Sequence, residues 1–249
     1  MSVASPERPR VRVPDPKYMT FVEHLDELRH RLIISLGAIV VGAIAGWFLS
    51  GFIIHLIDAP IREYLHGHKL VVPEVYGAFT LHLKVAIVVG FVFALPVTLW
   101  QIWGFISPAF GPKANRFAPI VIFTALFLFA SGATTAYFVM PLAIKFFAGF
   151  QSGDIQVIPF ASDYVSFITL IILVFGISFE LPLVLVSLTT IGVTSSGWLA
   201  KKRAFFFFGV FIFATVATPG ADWISPLILG GILYFLYEIS ILISRLLGK

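Results

Sequence analysis

A single acid, Glu180, interrupts the stretch of residues 164–200, which otherwise carries no charge and is rich in Leu, Ile, Val and Phe. An ionisable side chain at membrane depth is costly and generally marks a functional site. Pro182 has no backbone N–H to donate, so the carbonyl of Ser178 loses its helical partner. Two interpretations stay open. The carboxyl is either neutral and hydrogen-bonded within its own bundle, or it faces a groove and binds a polar or basic group of another chain.

Three further acids, Glu23, Asp26 and Glu27, share one face of an amphipathic segment near the N-terminus, opposite a face of Leu and Phe. One interpretation is a helix at the membrane interface in which Glu27 pairs with Arg31, four residues later. The other is an acidic patch for a basic ligand, because carboxylates bind guanidinium groups through two hydrogen bonds.

The sequence offers little for catalysis. It contains no cysteine, no H-E-x-x-H, no G-x-S-x-G and no P-loop. Its six histidines lie at the edges of apolar segments or between them, without the spacing of metal ligands. We therefore expect no catalytic site, no metal and no cofactor.

The elements that position these residues are membrane helices. At 59% hydrophobic and 12% charged residues, with a mean hydropathy of +0.97, the chain of 249 residues is too apolar for a soluble globule. Residues 1–19 are rich in Pro and Arg and are expected to be a disordered cytoplasmic tail, followed by a single transmembrane domain over residues 20–249. The predicted spans cover residues 32–52, 83–103, 117–139, 165–186, 205–218 and 223–244.

The distribution of basic residues predicts the orientation. Segments on the side of the two termini hold 13 Lys and Arg residues, whereas the opposite side holds four. Without all residues that precede the first predicted span, including Arg29 and Arg31, the counts are seven and four. Because Lys and Arg accumulate on the cytoplasmic side, both termini are predicted to be cytoplasmic.

Small residues and prolines predict how the helices pack. Ala38, Gly42, Gly46 and Ser50 form a stripe at four-residue spacing, which favours close packing within the bundle over an interface with a partner. Residues 53–65 favour a short interfacial helix that Pro60 breaks or starts. Prolines recur in or near the other spans, so we expect a bent, cupped bundle of helices.

A set of short motifs runs along the chain in a fixed order. The motifs are HLDELRHRL (24–32), DAP (58–60), ALP (94–96), QIWGFISPAF (101–110), FGISFELP (175–182), KKR (201–203), ATP (217–219), Asp222 and YEISI (237–241). Together they resemble one family, the TatC subunit of the twin-arginine protein translocase. The resemblance covers about residues 18–245, in order and with compatible spacing.

The resemblance implies an all-α, glove-shaped fold of six transmembrane helices with both termini cytoplasmic, in the cytoplasmic membrane of a prokaryote. It implies a receptor for signal peptides that carry paired arginines. It also implies a complex with the single-span subunits TatA and TatB, self-association, and export of folded proteins driven by the proton-motive force.

The resemblance also implies site residues. Signal peptides would bind near Glu27 and Arg29 and near Phe105 and Pro108. Many relatives carry a glutamate six residues after that proline, where this chain has Ala114. We therefore expect Glu27, helped by Glu23 or Asp26, to recognise the guanidinium groups.

Two further sets of residues follow from the resemblance. Glu180, with Ser178 and Pro182, matches the intramembrane acid on the concave face that receives partner helices. Pro60 and Asp222 match outer-loop positions tied to activity, although Asp222 stands one residue later than in some relatives.

An ion-coupled secondary transporter is the alternative, with Glu180 as its proton or cation site. Such transporters have paired halves with matching interrupted helices. The first three predicted spans contain no acid that would match Glu180, which disfavours this alternative.

Overall fold

The computed structural model describes residues 21–62, 71–72, 74–111, 114–149, 160–217 and 224–248. Within these ranges the chain is helical apart from turns and one isolated bridge between Val71 and Phe160. The α-helices are α1 (Phe21–Arg62), α2 (Gly77–Ile106), α3 (Ala118–Ala148), α4 (Ala161–Ser178), α5 (Leu181–Thr190), α6 (Ser196–Lys201), α7 (Arg203–Ala217) and α8 (Ile224–Leu246). The predicted all-α class is confirmed.

Five helical segments are long and apolar enough to cross a membrane, which confirms an integral membrane protein. They are Phe21–Ile61, Gly77–Phe110, Ala114–Lys145, Ala161–Thr190 and Pro226–Leu246. The remaining predicted span coincides with α7, an apolar helix of 15 residues, so a sixth crossing stays a prediction. The predicted tail, residues 1–19, and Asp222 lie outside the described residues.

Helix α1 is longer than the sequence suggests. It runs without interruption for 42 residues and joins the acidic N-terminal segment, the first predicted span and the segment around Pro60. The expected separate interfacial helix is therefore wrong. Pro60 cannot donate to the carbonyl of Leu56, four residues earlier. The hydroxyl of Tyr137 in α3 donates to that carbonyl instead, at 3.3 Å, so the helix can continue through the proline.

Helices α1 and α2 pack backbone against backbone. A Cβ on Gly42 would lie 2.6 Å from the carbonyl oxygen of Gly90, and a Cβ on Gly46 would lie 2.6 Å from that of Ala86. At the end of the stripe, Ser50 Oγ lies 2.7 Å from Nδ1 of His82. The small-residue stripe is thus packed inside the bundle, as predicted.

Helix α4 lies against three other helices. Its Gly176 leaves room for the ring of Phe129 in α3, the hydroxyl of its Tyr164 donates to the carbonyl of Ile57 in α1 at 2.8 Å, and its Ser166 accepts from Nζ of Lys84 in α2 at 3.0 Å. These contacts hold α4 at the centre of the largest apolar cluster.

The helices at the C-terminal end are joined by a salt bridge. Arg203 at the start of α7 donates from Nε and Nη2 to the two carboxylate oxygens of Glu238 in α8, at 2.7 Å each. The rings of Phe206 and Tyr237 stack beside it with centroids 3.8 Å apart. The Tyr237 hydroxyl donates to the carbonyl of Leu199 at 2.6 Å, which fixes α6 as well.

Candidate functional site

The first turns of α1 and the last turns of α2 meet, and five side chains form one group there. We call it the Glu27 cluster: His24, Glu27 and Arg31 from α1, and Gln101 and Phe105 from α2. The position follows from the glycine contacts, which hold the two helices together farther along. Two of the predicted signal-peptide residues, Glu27 and Phe105, are thereby brought together.

Arg31 binds only one oxygen of Glu27. Its Nε and Nη2 donate to Oε1 at 2.9 Å and 2.6 Å. This confirms the predicted pair four residues apart. The other oxygen, Oε2, is buried and has no hydrogen-bond donor among the described residues. A carboxylate has about four acceptor positions, and a buried acceptor without a donor costs about 1–3 kcal/mol. Oε2 of Glu27 can therefore accept a hydrogen bond from a bound ligand.

Gln101 and Gly104 hold Arg31 in place on the side of α2. Nη1 of Arg31 lies 3.4 Å from both the carbonyl oxygen and the side-chain Oε1 of Gln101. A Cβ on Gly104 would lie 2.7 Å from the central carbon of this guanidinium. The absence of a side chain at Gly104 leaves room for the guanidinium of Arg31 beside α2, where it fixes the Glu27 carboxylate.

His24 lies on the other side of Glu27. Its ring stacks on that of Phe105, with centroids 4.3 Å apart and an angle of 11° between the planes. Its Nδ1 is 3.8 Å from Oε2 of Glu27, which is too far for a hydrogen bond. Sequence reasoning did not select His24 or Gln101. Only the position of His24, one turn before Glu27, hinted at a contact.

The other predicted acids face an open hollow of about 520 Å³ along α1. The described residues that line it are Glu23, Asp26, Glu27, Arg29, His30 and Ile33. Three carboxylates against one arginine give this hollow an acidic character, which fits the acidic patch, one of the two interpretations that the sequence left open. Pro108 is not among these lining residues and lies exposed in the turn of Ser107–Phe110 that follows α2.

Ala114 contributes to packing. It is buried in a small apolar cluster with Trp103 and Ala118, against the turn that carries Phe110. The short methyl side chain fits among these residues. No residue from 107 to 117 is acidic, so Glu27 has no second carboxylate from this turn.

Glu180 lies at the break between α4 and α5, as the position of Pro182 predicts. The N–H of Glu180 bonds to the carbonyl of Ile177 at 3.1 Å, which is a tighter turn than an α-helix. Ser178 and Pro182 are buried, whereas Glu180 is half-buried. Its carboxyl makes no hydrogen bond or ion pair with any described residue. Of the two interpretations, the locally hydrogen-bonded carboxyl is therefore wrong for the described part of the chain.

Among the described residues, no three His, Cys, Asp or Glu side chains stand close enough together to hold a metal ion. Of the two predicted outer-loop residues, Pro60 lies within the last turn of α1. His24 and His82 each contact the neighbouring helix, His24 through the ring of Phe105 and His82 through Oγ of Ser50.

The sequence of this chain is similar to members of one protein family. The family described as Sec-independent protein translocase protein (TatC) matches residues 23–231. The chain is 38% identical over 226 residues to the Sec-independent protein translocase protein TatC of Magnetococcus marinus, across 90% of this chain and 83% of that protein. It is 35% identical over 232 residues to the protein of the same name in Carboxydothermus hydrogenoformans, across 93% and 95% of the two chains.

The fold is also similar to that of a solved structure from the same family. A crystal structure of the twin-arginine translocase receptor TatC aligns with a TM-score of 0.79 and 33% identity, over 91% of this chain and all of that one. The motifs, the helices and the sequence matches agree along nearly the whole chain. The protein belongs to the TatC family, whose members are membrane components of the Sec-independent protein translocase and not enzymes.

Proposed function

We propose that this TatC protein is the signal-peptide receptor of its translocase and that the Glu27 cluster binds the paired arginines of the signal peptide. One observation carries the proposal: Oε2 of Glu27 is buried without a hydrogen-bond donor, 3.8 Å from the His24 imidazole that stacks on Phe105. A guest guanidinium supplies the missing donor. The acids of the hollow, Glu23 and Asp26, attract the basic peptide, and Arg29 and Pro108 border its path.

The geometry favours arginine over lysine. A guanidinium is planar, donates in a fixed fork and stacks on aromatic rings, whereas an ammonium is a strongly hydrated point charge. The Glu27 cluster offers one carboxylate oxygen and one aromatic ring, each in contact with the His24 imidazole. The turn at Ala114 adds no second acid. Stacking on Phe105 then supplies part of the affinity that a second carboxylate would provide.

A crosslinking experiment tests the receptor. A photoreactive residue is placed at Leu28 or Ile106, which are exposed neighbours of Glu27 and Phe105. A third probe at the exposed Val193 is the control. We expect a twin-arginine peptide to crosslink at the first two positions at least tenfold more than a twin-lysine peptide, and neither peptide to crosslink at Val193. Equal crosslinking of both peptides would contradict the receptor function.

We also propose that Glu180 binds helices of single-span partners, the TatA and TatB subunits. An unpaired carboxyl at membrane depth needs a polar group from another molecule, and the buried Ser178 and Pro182 keep the break at which it lies. In this arrangement both termini are cytoplasmic, copies of the chain associate in the complex, and the proton-motive force drives export of folded proteins.

Replacing Glu180 with alanine should weaken partner docking by roughly tenfold or more, because a hydrogen bond to a charged group contributes about 1.5–3 kcal/mol. The measurement is the amount of TatA and TatB that co-purifies with the variant from membranes. Ile177→Ala, at an exposed apolar position beside the same break, is the matched control and should leave co-purification unchanged. Equal recovery of both partners with Glu180→Ala would overturn the docking role.

A further inference from the structure

The His24 imidazole lies between the ring of Phe105 and Oε2 of Glu27, a position in which a guanidinium could also bind. Its ring lies nearly parallel to the ring of Phe105, 4.3 Å away, and its Nδ1 points to within 3.8 Å of the unpaired Oε2 of Glu27. The imidazole uses the aromatic face but does not complete a hydrogen bond to the carboxylate. Because the His24 side chain is 45% exposed, it can leave this place without disturbing the bundle.

Arg31 shows what a guanidinium does in the same cluster. It lies beside Gly104 of α2 and donates through two nitrogens to Oε1 of Glu27. A second guanidinium in the place of the imidazole would stack on Phe105 and donate to Oε2, and Glu27 would then bind one arginine on each oxygen. Carboxylates accept such paired hydrogen bonds readily.

We propose that His24 is a resident competitor: its ring covers Phe105 in the free protein, and an arginine of the signal peptide displaces it to stack on Phe105 and bind Oε2. This inference rests on the receptor function proposed above and assigns the residue that regulates its affinity. His24 is a specificity-determining residue in this arrangement, because a lysine gains no comparable stacking when the imidazole leaves.

The direction in which His24→Ala changes the affinity for the peptide separates this role from a structural one. If His24 supported the site, its removal would weaken binding. If His24 competes, His24→Ala removes a ring stack that the guest must otherwise break, and the affinity for a twin-arginine peptide should rise about three- to tenfold. His24→Phe keeps a stacked ring and should bind no better than the original chain.

The experiment measures dissociation constants of a fluorescent twin-arginine peptide and its twin-lysine counterpart with the full chain in lipid nanodiscs. We expect His24→Ala to bind the twin-arginine peptide more tightly than the original chain does and to bind the twin-lysine peptide with unchanged affinity. In the double variant His24→Ala, Phe105→Leu, the increase in affinity for the twin-arginine peptide should be lost. His55→Ala, the same substitution near the other end of α1, controls for a general effect and should change neither constant.

Different results would overturn the competitor role of His24 and the receptor function. If the arginine peptide binds better than the lysine peptide but His24→Ala weakens or leaves unchanged its binding, the competitor role is overturned and the receptor stands. A gain that persists in the Phe105→Leu background also overturns it, because stacking on Phe105 is then not the cause. If the original chain does not distinguish the two peptides, the receptor function itself fails.

Discussion

Replacing Gly42 with leucine should separate α1 from α2 and lower the midpoint of thermal unfolding in detergent by roughly 6 °C. A Cβ at this position would meet the backbone of Gly90 at 2.6 Å, and backbone cannot rotate away as a side chain can. Overpacking of this kind costs about 1–3 kcal/mol or more, and about 1 kcal/mol shifts the midpoint by roughly 2–4 °C in a chain of this size.

The matched control is Gly37→Leu in the same helix, where a Cβ would meet nothing within 4 Å. Both variants add the same apolar volume and the same helix propensity, so only the contact with α2 differs. We expect Gly37→Leu to unfold within about 2 °C of the original chain. Equal midpoints for the two variants would show that the close contact does not stabilise the fold.

Replacing Glu27 with glutamine should weaken the binding of a twin-arginine peptide at least 30-fold. Glutamine has nearly the same size and can still accept from Arg31 through its oxygen, but its amide nitrogen takes the place of Oε2 and donates. Removing one partner of a buried, hydrogen-bonded charge pair costs about 2 kcal/mol or more, which corresponds to this factor.

The measurement is the dissociation constant of the labelled peptide. Glu74→Gln, the same chemical change at an exposed acid before α2, is the control, and we expect its constant to stay within about twofold of the original. The unfolding midpoint of Glu27→Gln should stay near that of the original chain, because Arg31 keeps its acceptor. Undiminished peptide binding by Glu27→Gln would place the arginine site elsewhere.

Hydropathy and local geometry predicted much of the fold. Apolar segments of about 20 residues have few alternatives to helices in a membrane, so the positions of the helices follow from the sequence. The break at Glu180 follows from Pro182, and the contact of Gly42 with α2 follows from the spacing of small residues. Each of these features depends on residues close together in the chain.

The continuity of α1 was harder to predict. Pro60 is a helix breaker in isolation, but the hydroxyl of Tyr137 replaces the hydrogen bond that it removes. That donor comes from another helix, and no local pattern around Pro60 reveals it. Tertiary contacts override local propensity here.

The Glu27 cluster could be predicted only in part. The pair of Glu27 with Arg31 is local and was expected from the spacing. The contact of His24 with Phe105 joins residues from two helices, and periodicity within one helix says nothing about it. The same holds for the salt bridge between Arg203 and Glu238, which joins α7 and α8.

The backbone contact between α1 and α2 also has a mechanical consequence. Gly42 and Gly46 lie against the backbone of Gly90 and Ala86, with the Val89 side chain beside Gly46. Neither helix can therefore slide along or rotate against the other without breaking this contact. The two helices should therefore tilt together as one rigid body. A guest that pulls on Glu27 at one end would then move the Ser50 and His82 pair at the other end by the same rigid rotation.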